Sequence, residues 1–282
     1  MFDPKLFLSC TYTKEDVFKA LSTLGIKKGD SVLIHSSLFD LGLPDCNIVN
    51  LDEFYLECIK EYLGADGTII LPAFTYSFCK GKVFDLKKDL SSVSSLSNYC
   101  IQNHIGYRTQ DAIFSYVIIS NDIENKSFSN VCFDIDGGLA GYALLKNTKI
   151  LMLGISFAWL TAFYSIDQEL NVEHRFFKKF DGNILIDNKL YKKSFYYFCR
   201  HLVDNTINDN DLIHKKMLEN DFAKEVALGT GKIFAADMDK LFASFRSYVK
   251  QDPWYFLKGP KLLLKAIDSI DIKKEYLNVI KL

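Results

Sequence analysis

The chain has 282 residues, 49% of them hydrophobic, and its 34 basic and 35 acidic residues leave a formal net charge of −1. A chain of this length can bury a substantial core, and its near neutrality provides no basic field strong enough to make nucleic acid the main partner. The longest uncharged run, residues 150–166, is shorter than the ~20 residues that a membrane-spanning helix needs, so we expect no membrane partner.

The N-terminal segment M-F-D-P-K-L-F-L-S-C places an acidic residue and a proline before only three apolar residues. Such a segment cannot supply the apolar stretch of a signal peptide, which predicts a cytoplasmic protein. The seven cysteines occur singly and include no C-x-x-C pair. This pattern indicates neither a zinc site nor a disulfide framework, so we expect no bound metal.

Two amphipathic helices are predicted in the first 63 residues. Thr13, with Asp16 three residues later, forms a capping signal, and apolar residues then recur with a helical period until Gly25. The segment K-G-D-S-V-L-I-H-S-S-L follows as a turn, a short apolar strand and a polar end. A second helix, from about Asp52 to Leu63, leads through the turn A-D-G into the strand T-I-I-L, which Pro72 ends.

Further strands are predicted at residues 114–120 and 149–154, and a hairpin is predicted to turn at Asp187-Asn188. The residues after the hairpin have a mostly helical pattern. Short aliphatic strands that alternate with helices indicate an α/β fold. We therefore predict a mixed central sheet covered by helices on both faces, with a β-hairpin insertion and a helical C-terminal part, in a single domain over residues 1–282.

Polar residues follow three of the predicted strands. They are His35, Ser36 and Ser37 after V-L-I, Thr75 and Tyr76 after I-I-L-P-A-F, and Thr161, Tyr164, Asp167 and Gln168 on one face of a helix after I-L-M-L-G. If the three strands are parallel neighbours, their carboxyl ends form one crevice, the usual ligand position in an open α/β sheet. Arg108, in Y-R-T-Q-D-A-I-F-S, would enter the same sheet and offers a guanidinium group to an anion.

Each of these residues also has a purely structural interpretation. A single histidine at a strand end is more often a packed structural residue than a ligand, and hydroxyl groups such as those of Ser36 and Ser37 usually cap a following helix. Arg108 fits an exposed ion pair, and Tyr164 fits half-buried packing. The joint placement of the residues, rather than any one of them, favours a functional site.

Five ordered motifs resemble those of the aminoglycoside 3-N-acetyltransferase family. They are K-G-D-S-V-L-I-H-S-S-L, G-T-I-I-L-P-A-F-T-Y-S-F, Y-R-T-Q-D-A-I-F-S, I-L-M-L-G with T-A-F-Y-S-I-D-Q-E, and D-P-W-Y-F-L. The resemblance covers about residues 14–258. The resemblance implies an N-acetyltransferase that moves an acetyl group from acetyl-CoA to a primary amine of an amino sugar, by direct attack in a ternary complex. The family includes antibiotic-resistance enzymes and relatives that look like enzymes of bacterial surface polysaccharide biosynthesis.

The resemblance also implies roles for individual residues, motif by motif. On the coenzyme side it implies His35, Ser36 and Ser37 along the pantetheine arm, together with Thr75, Arg108 and Ser115. On the side of the acceptor amine it implies Tyr76, Thr161 and His174.

The chain departs from the family pattern at the implied chemical centre. The pattern resembles T-x-x-H-x-x-E, in which the histidine takes the amine proton, whereas Tyr164 and Asp167 stand at the histidine and glutamate positions here. In the arginine motif, Asp111 replaces a second histidine. A tyrosine with its ordinary pKa of about 10 is a poor base, but a buried carboxylate can accept a proton. The substitute catalytic group is therefore Tyr164 as hydrogen-bond donor with Asp167 or Asp111 as base, and His174 is a further candidate.

Three hypotheses remain open at the level of sequence. The first is an active N-acyltransferase with this rebuilt acid-base group, and the second is a catalytically silent homologue that binds a ligand or a protein. The third is a thioester-exchange enzyme with Cys79 as nucleophile, which no neighbouring His-Asp pair supports. The mixed charges of the loops favour a weakly cationic amino sugar, free or nucleotide-linked, over a polycationic aminoglycoside. Monomer and homodimer are both compatible with the sequence.

Overall fold

The computed structural model describes residues 12–44, 50–121, 128–136 and 138–262, so the N-terminal segment used to predict the location lies outside the described residues. The helices are α1 (Lys14–Thr23), α2 (Leu51–Leu63), α3 (Ser95–Gln102), α4 (Leu139–Leu145), α5 (Tyr164–Glu169), α6 (Asn210–Leu218) and α7 (Met238–Gln251). The strands are β1 (Ser31–Ser36), β2 (Thr68–Pro72), β3 (Phe84–Asp85), β4 (Tyr107–Arg108), β5 (Tyr116–Ile119), β6 (Lys149–Leu153), β7 (Arg175–Ile186), β8 (Lys189–Arg200), β9 (Lys224–Leu228) and β10 (Gly231–Asp237).

Helices α1 and α2 begin at side-chain caps. The backbone N–H of Thr13 donates to Asp16 Oδ2 at 2.9 Å, and the Asp16 N–H donates to Thr13 Oγ1 at 3.2 Å, which forms the predicted capping box. The Asn50 side chain accepts the backbone N–H groups of Asp52 and Glu53 at the start of α2. Both caps satisfy N–H groups that the first turn of a helix leaves without partners.

Seven strands form the central sheet, in the order β4-β5-β2-β1-β6-β10-β9. Strand β1 pairs in parallel with β2 on one side and with β6 on the other, and the outer strands are antiparallel. The sheet is therefore mixed, as predicted. Because β2, β1 and β6 are parallel neighbours, their carboxyl ends lie at one edge of the sheet, called the carboxyl edge below.

Side chains of the central strands alternate between two buried apolar clusters. Val32 and Ile34 of β1 join the cluster that includes residues of α1, α2 and α3. Leu33 joins the opposite cluster, which includes residues of α4, α5, α6 and α7. This alternation follows from the two-residue period of a strand, and it confirms that helices cover both faces.

A long hairpin, β7 and β8, forms a second sheet with the short strand β3. It turns at Asp187 and Asn188, whose φ angles are 48° and 63°. Positive φ at both central residues is typical of a two-residue hairpin turn of type I′, and asparagine and aspartate tolerate it well. The predicted hairpin insertion is confirmed.

The C-terminal part contains α6 and α7, as predicted, and also two strands that the sequence pattern did not indicate. Strands β9 and β10 form a hairpin, and β10 extends the central sheet beside β6. Three of the five residues of β9 are exposed, so this edge strand lacks the alternating apolar pattern by which strands are recognised. In the described ranges, no helix is both long enough and apolar enough to cross a membrane.

We propose that the described residues form one domain. Residues of both sheets share a single apolar cluster, in which Leu33 and Ile70 of the central sheet lie with Phe84, Ile184 and Phe195 of the small sheet. A continuous core of this kind is typical of one folding unit rather than two.

Candidate active site

The carboxyl ends of β1, β2 and β6, after which the predicted polar residues follow, lie at the carboxyl edge. After β6 the chain makes two short helical turns, Phe157–Trp159 and Thr161–Phe163, and then enters α5. Gly154, at the exit of β6, has a φ of 68°, and a Cβ atom there would lie 2.4 Å from the carbonyl oxygen of Ser37. Only glycine permits this close approach, which places the chain leaving β6 against the chain leaving β1.

A small cavity gathers four of the predicted site residues. Thr161, Tyr164, Asp167 and His174 line it, and its volume is about 100 Å³. Apolar walls are supplied by Phe163, Ile213, Phe245 and Phe256. The volume is well below the several hundred Å³ of a complete cofactor site, so the cavity can hold only a small group of a larger ligand.

Asp167 is held in a buried ion pair. Its Oδ2 atom accepts a hydrogen bond from Nε of Arg175 at 2.9 Å, and both side chains are less than a tenth exposed. Burial raises the pKa of Asp167, and the adjacent guanidinium group opposes that rise. No described residue donates to the second oxygen, Oδ1, so that atom can still accept a proton.

Tyr164 contacts a cation and an aromatic ring. The guanidinium carbon of Arg175 is 4.2 Å from the centre of its ring, and Phe133 makes an edge contact at 5.5 Å. Burial raises the pKa of Tyr76, and the neighbouring Tyr164 phenol raises it further. The two predicted tyrosines are therefore neighbours, with Tyr76 on the exposed side of the cleft.

His174 is buried beside the same cavity. Only 2% of its surface is exposed, its Nδ1 atom has no hydrogen-bond partner among the described residues, and its ring meets Trp254 edge-on at 5.6 Å. Burial and the adjacent Arg175 lower its pKa to about 3. The imidazole is therefore neutral at pH 7, and Nδ1 can accept a hydrogen bond from a ligand.

Asp111 lies in a turn of the segment before β5. Its Oδ1 atom accepts the backbone N–H groups of Ile113 at 2.8 Å and Phe114 at 2.9 Å. Burial raises its pKa, and these two hydrogen bonds oppose the rise. The carboxylate thus stabilises a turn, a role that sequence analysis did not consider. The half-buried Cys79 has a raised pKa because of burial and the nearby Asp111, so its thiol stays protonated at neutral pH.

Arg108 was expected to hold an anion, but its donors already have partners inside the protein. Nε donates to Ser115 Oγ at 3.1 Å, Nη1 to the Asp89 carbonyl at 2.5 Å and Nη2 to the Ala73 carbonyl at 3.0 Å. Thr75 is similarly engaged, since its hydroxyl donates to the Ala112 carbonyl at 3.0 Å. An anion could reach Arg108 only by displacing these acceptors. The geometry therefore indicates a structural role, in which Arg108 links β4 to the segment after β2.

The three residues at the end of β1 differ in exposure. His35 is 8% exposed, its Nε2 atom has no partner among the described residues, and burial lowers its pKa to about 4. Ser36 and Ser37 are partly exposed, and the Ser37 hydroxyl donates to Asp40 Oδ2 at 2.5 Å. Only the two serines are therefore open to a ligand outside the protein.

Arg175 is the site residue that sequence reasoning missed. It opens β7, eight positions after Asp167, and it also donates to the carbonyl of Phe198 at 3.2 Å. The only local signal was a basic residue directly after His174 in N-V-E-H-R, and nothing in that segment indicates which carboxylate it would meet. Among the described residues, no three His, Cys, Asp or Glu side chains are grouped to hold a metal ion.

Comparisons with known proteins agree with this architecture. The family model described as aminoglycoside 3-N-acetyltransferase matches residues 33–250. A sequence search of curated proteins found no match. The fold is similar to that of the apoenzyme of aminoglycoside acetyltransferase AAC(3)-IVa, with a TM-score of 0.69 and 18% identity, covering 89% of this chain and 93% of that chain.

Two further solved structures are similar to the same extent. One is AAC-IIIb in a binary complex with CoASH, with a TM-score of 0.71 and 12% identity, covering 89% of this chain and all of that chain (100%). The other is AAC-VIa bound to sisomicin, with a TM-score of 0.70 and 14% identity, covering 86% of this chain and 98% of that chain. At these identities the likeness establishes the fold.

Proposed function

Because the chain belongs to the aminoglycoside 3-N-acetyltransferase family, we propose that it transfers an acyl group, in the simplest case acetyl, from an acyl-coenzyme A to a primary amine of an amino sugar. The observation that carries this proposal is the cavity at the carboxyl edge, where Tyr164, Asp167 and His174 meet. The acyl-CoA cosubstrate supplies an activated thioester, and holding both substrates in one complex removes the entropic cost of bringing them together.

The coenzyme side of the site is supported by the partly exposed Ser36 and Ser37, whose hydroxyl oxygens can accept hydrogen bonds from the amide groups of a pantetheine arm along the carboxyl edge. His35, Thr75, Arg108 and Ser115 support that edge from inside the protein. The solved complex of AAC-IIIb with CoASH shows that this fold can bind the coenzyme. A cosubstrate of this kind is intracellular, which is in keeping with the cytoplasmic location that we propose.

In the proposed reaction the amine nitrogen forms a bond to the thioester carbonyl carbon and loses a proton. The carbon–sulfur bond breaks, and coenzyme A leaves as a thiolate that takes up a proton to become the free thiol. Asp167 accepts the amine proton at Oδ1 while Arg175 holds Oδ2, because a raised pKa makes a carboxylate a better proton acceptor near neutral pH. The Tyr164 hydroxyl donates to the carbonyl oxygen as negative charge develops on it. Asp111 is the weaker candidate base, since two backbone N–H groups already stabilise its charge.

The acceptor that fits best is a weakly cationic amino sugar, free or nucleotide-linked, like those of surface polysaccharides. Neither carboxylate of the site is available as a free negative charge, because Arg175 neutralises Asp167 and Asp111 lies in a turn. The exposed Lys178 adds a positive charge close to Cys79. A polycationic aminoglycoside would need a denser group of carboxylates than this cleft provides.

A catalytically silent homologue is the second candidate function. It is favoured by the tyrosine at the position of the family histidine, since Arg175 and Phe133 pack the Tyr164 ring as they would any structural aromatic residue. The protein would then keep the fold and bind a ligand without turning it over. Thioester exchange through Cys79 is disfavoured, because the raised pKa leaves little thiolate at neutral pH.

Asp167→Asn tests the active enzyme. We expect acyl transfer to fall by at least about tenfold, a barrier change of about 1.4 kcal/mol, since asparagine can accept the Arg175 hydrogen bond but cannot accept a proton. The rate is measured as thiol release from acetyl-CoA in the presence of nucleotide-linked amino sugars and of aminoglycosides. Glu169→Gln, on the same helix in a more exposed pair with Arg246, is the matched control and should keep the wild-type rate.

Titration calorimetry with coenzyme A separates the two candidates. Lack of binding at millimolar concentration removes the acyltransferase proposal altogether. Binding without turnover, combined with acyl transfer by Tyr164→His, supports the silent homologue. An Asp167→Asn variant that turns over at the wild-type rate excludes Asp167 as the base.

A further inference from the structure

The net charge of −1 conceals an uneven distribution of charge in the fold. Residues 80–90 and 184–193, called the basic tip below, contain seven lysines and only three aspartates. The two segments lie side by side, because Phe84 of β3 pairs with Ile184 of β7, and Nζ of Lys87 is 2.7 Å from Asp187. The basic tip is therefore one continuous surface at the far end of the hairpin.

Six lysines of the basic tip are exposed and form no ion pair with any described residue. They are Lys80, Lys82, Lys88, Lys189, Lys192 and Lys193. The three aspartates are engaged locally: Asp85 accepts backbone N–H groups, Asp89 accepts the Ser77 hydroxyl, and Asp187 pairs with Lys87. The seven lysines and three aspartates leave the basic tip with a formal net charge of +4.

Apolar side chains are exposed among these lysines. Leu190 is 63% exposed, Tyr191 is 42% exposed, and Val83 in the neighbouring segment is 45% exposed. Successive residues of a strand project from opposite faces, so Leu190 and Tyr191 lie on the two faces of the hairpin, as do Lys192 and Lys193. A partner protein that binds one face of the hairpin would contact only one residue of each pair. A planar interface that the end of the hairpin enters would contact both.

Protection of a sheet edge is the simplest structural explanation for these lysines. Lysines on an exposed edge strand hinder pairing between molecules, which accounts for Lys192 and Lys193 on β8. It extends to Lys82 and Lys88, which flank β3, the other edge strand of the same sheet. It fails for Leu190, because this residue adds exposed apolar surface to the edge that the lysines would protect.

We propose that the basic tip binds end-on to an anionic lipid surface. Leu190 and Tyr191 enter the headgroup region, and the surrounding lysines contact the lipid phosphates, because juxtaposed cations and apolar residues are the two features that hold a protein at such an interface. The inference is independent of acyl transfer. The sequence-based expectation of no membrane partner rested on the absence of a long uncharged run, and that criterion does not detect a local basic surface.

Vesicle flotation tests the proposal with the intact protein. We expect the protein to float with vesicles of phosphatidylglycerol and phosphatidylcholine roughly tenfold more than with phosphatidylcholine alone, and less at high salt. The charge variant Lys189→Gln/Lys192→Gln/Lys193→Gln and the apolar variant Leu190→Ser/Tyr191→Ser should each lose most of this binding. Lys19→Gln/Lys27→Gln/Lys250→Gln removes the same charge from exposed sites elsewhere and should bind like the wild type.

Three results would overturn the proposal. In the first, the wild type does not float with the anionic vesicles. In the second, the apolar variant binds as well as the wild type, which would leave only a diffuse charge effect. In the third, soluble polyglutamate releases the protein from the vesicles as effectively as added anionic vesicles of equal total charge do. That result would assign the surface to an acidic polypeptide. Thermal melting followed by circular dichroism confirms that each variant is folded.

Discussion

Two opposite charges, Asp167 and Arg175, meet inside the protein beside the ring of Tyr164, with 2.9 Å between Oδ2 and Nε. Removing two charges from water is costly, and their attraction repays that cost only while both partners are present. Arg175 also stacks on Tyr164, so the same guanidinium group orients both residues of the proposed acid-base group. At the residue scale, Arg175 is therefore the positioning residue of the candidate active site.

Arg175→Met should lower the free energy of unfolding by about 3–5 kcal/mol, because it leaves the carboxylate of Asp167 buried without a partner. The double variant Asp167→Asn/Arg175→Met should lose less than the sum of the two single losses, since neither charge then remains. Urea denaturation measures both quantities. Lys216→Met, in the more exposed pair with Glu219, should cost no more than about 1 kcal/mol. A similarly small loss for Arg175→Met would contradict the buried-pair interpretation.

At the scale of elements, the long hairpin connects the candidate active site with the basic tip. Its base contributes Arg175 and Tyr197, and its far end forms the basic tip. The ring centre of Tyr197 is 4.6 Å from that of Phe114. The two functions that we propose are thus located at opposite ends of one element. The turn at Asp187 and Asn188 sets the register of all the residue pairs between β7 and β8.

Asn188→Val should destabilise the protein by about 1–2 kcal/mol, because a β-branched residue is strained at the φ of 63° that this position requires. Asn188→Gly relieves that strain and should change the stability by only a few tenths of a kcal/mol. Thermal unfolding measures both variants. Asn183→Val, on the exposed part of β7, controls for the added apolar side chain, and an equal loss there would show that the turn is not the cause.

At the scale of the whole molecule, two apolar clusters enclose the central sheet and also bury ionisable groups. Burial lowers the pKa of His35 to about 4, and burial with the adjacent Arg175 lowers that of His174 to about 3. An unfolded chain protonates its histidines below about pH 6.5. Between these values the two histidines bind more protons in the unfolded chain than in the folded protein, so their contribution to stability rises with pH.

Acidification from about pH 7 to about pH 5 should therefore destabilise the protein, with each of the two histidines contributing a slope of up to about 1.4 kcal/mol per pH unit below pH 6.5. His35→Gln/His174→Gln should flatten this dependence, as measured by urea denaturation at both pH values. His104→Asn is the control, because His104 is exposed and asparagine tolerates its φ of 55°. An unchanged slope in the double variant would mean that both histidines are protonated in the folded protein.

Local patterns in the sequence determined much of the fold. The capping box at Thr13, the aliphatic strands β1, β2 and β6, and the turn at Asp187 and Asn188 each depend on residues close together in the chain, where periodicity and turn chemistry act directly. The polar ends of those strands also indicated the carboxyl edge.

Only the tertiary structure decided which of the polar residues have partners. Asp167 meets Arg175, Arg108 bonds to carbonyl groups, and the buried Nδ1 of His174 has no partner in the described ranges, because each outcome depends on contacts between elements.

For charge too, the sequence determined one quantity, the net charge, and the tertiary structure decided another, its distribution over the surface. Composition gave a net value near zero and, with it, the expectation of no strong field. Folding brought residues 80–90 beside residues 184–193, about a hundred positions apart, and concentrated their lysines on one surface. Screened electrostatic interactions act over roughly 10 Å, so the field of a protein depends on distances in space that a sequence does not specify.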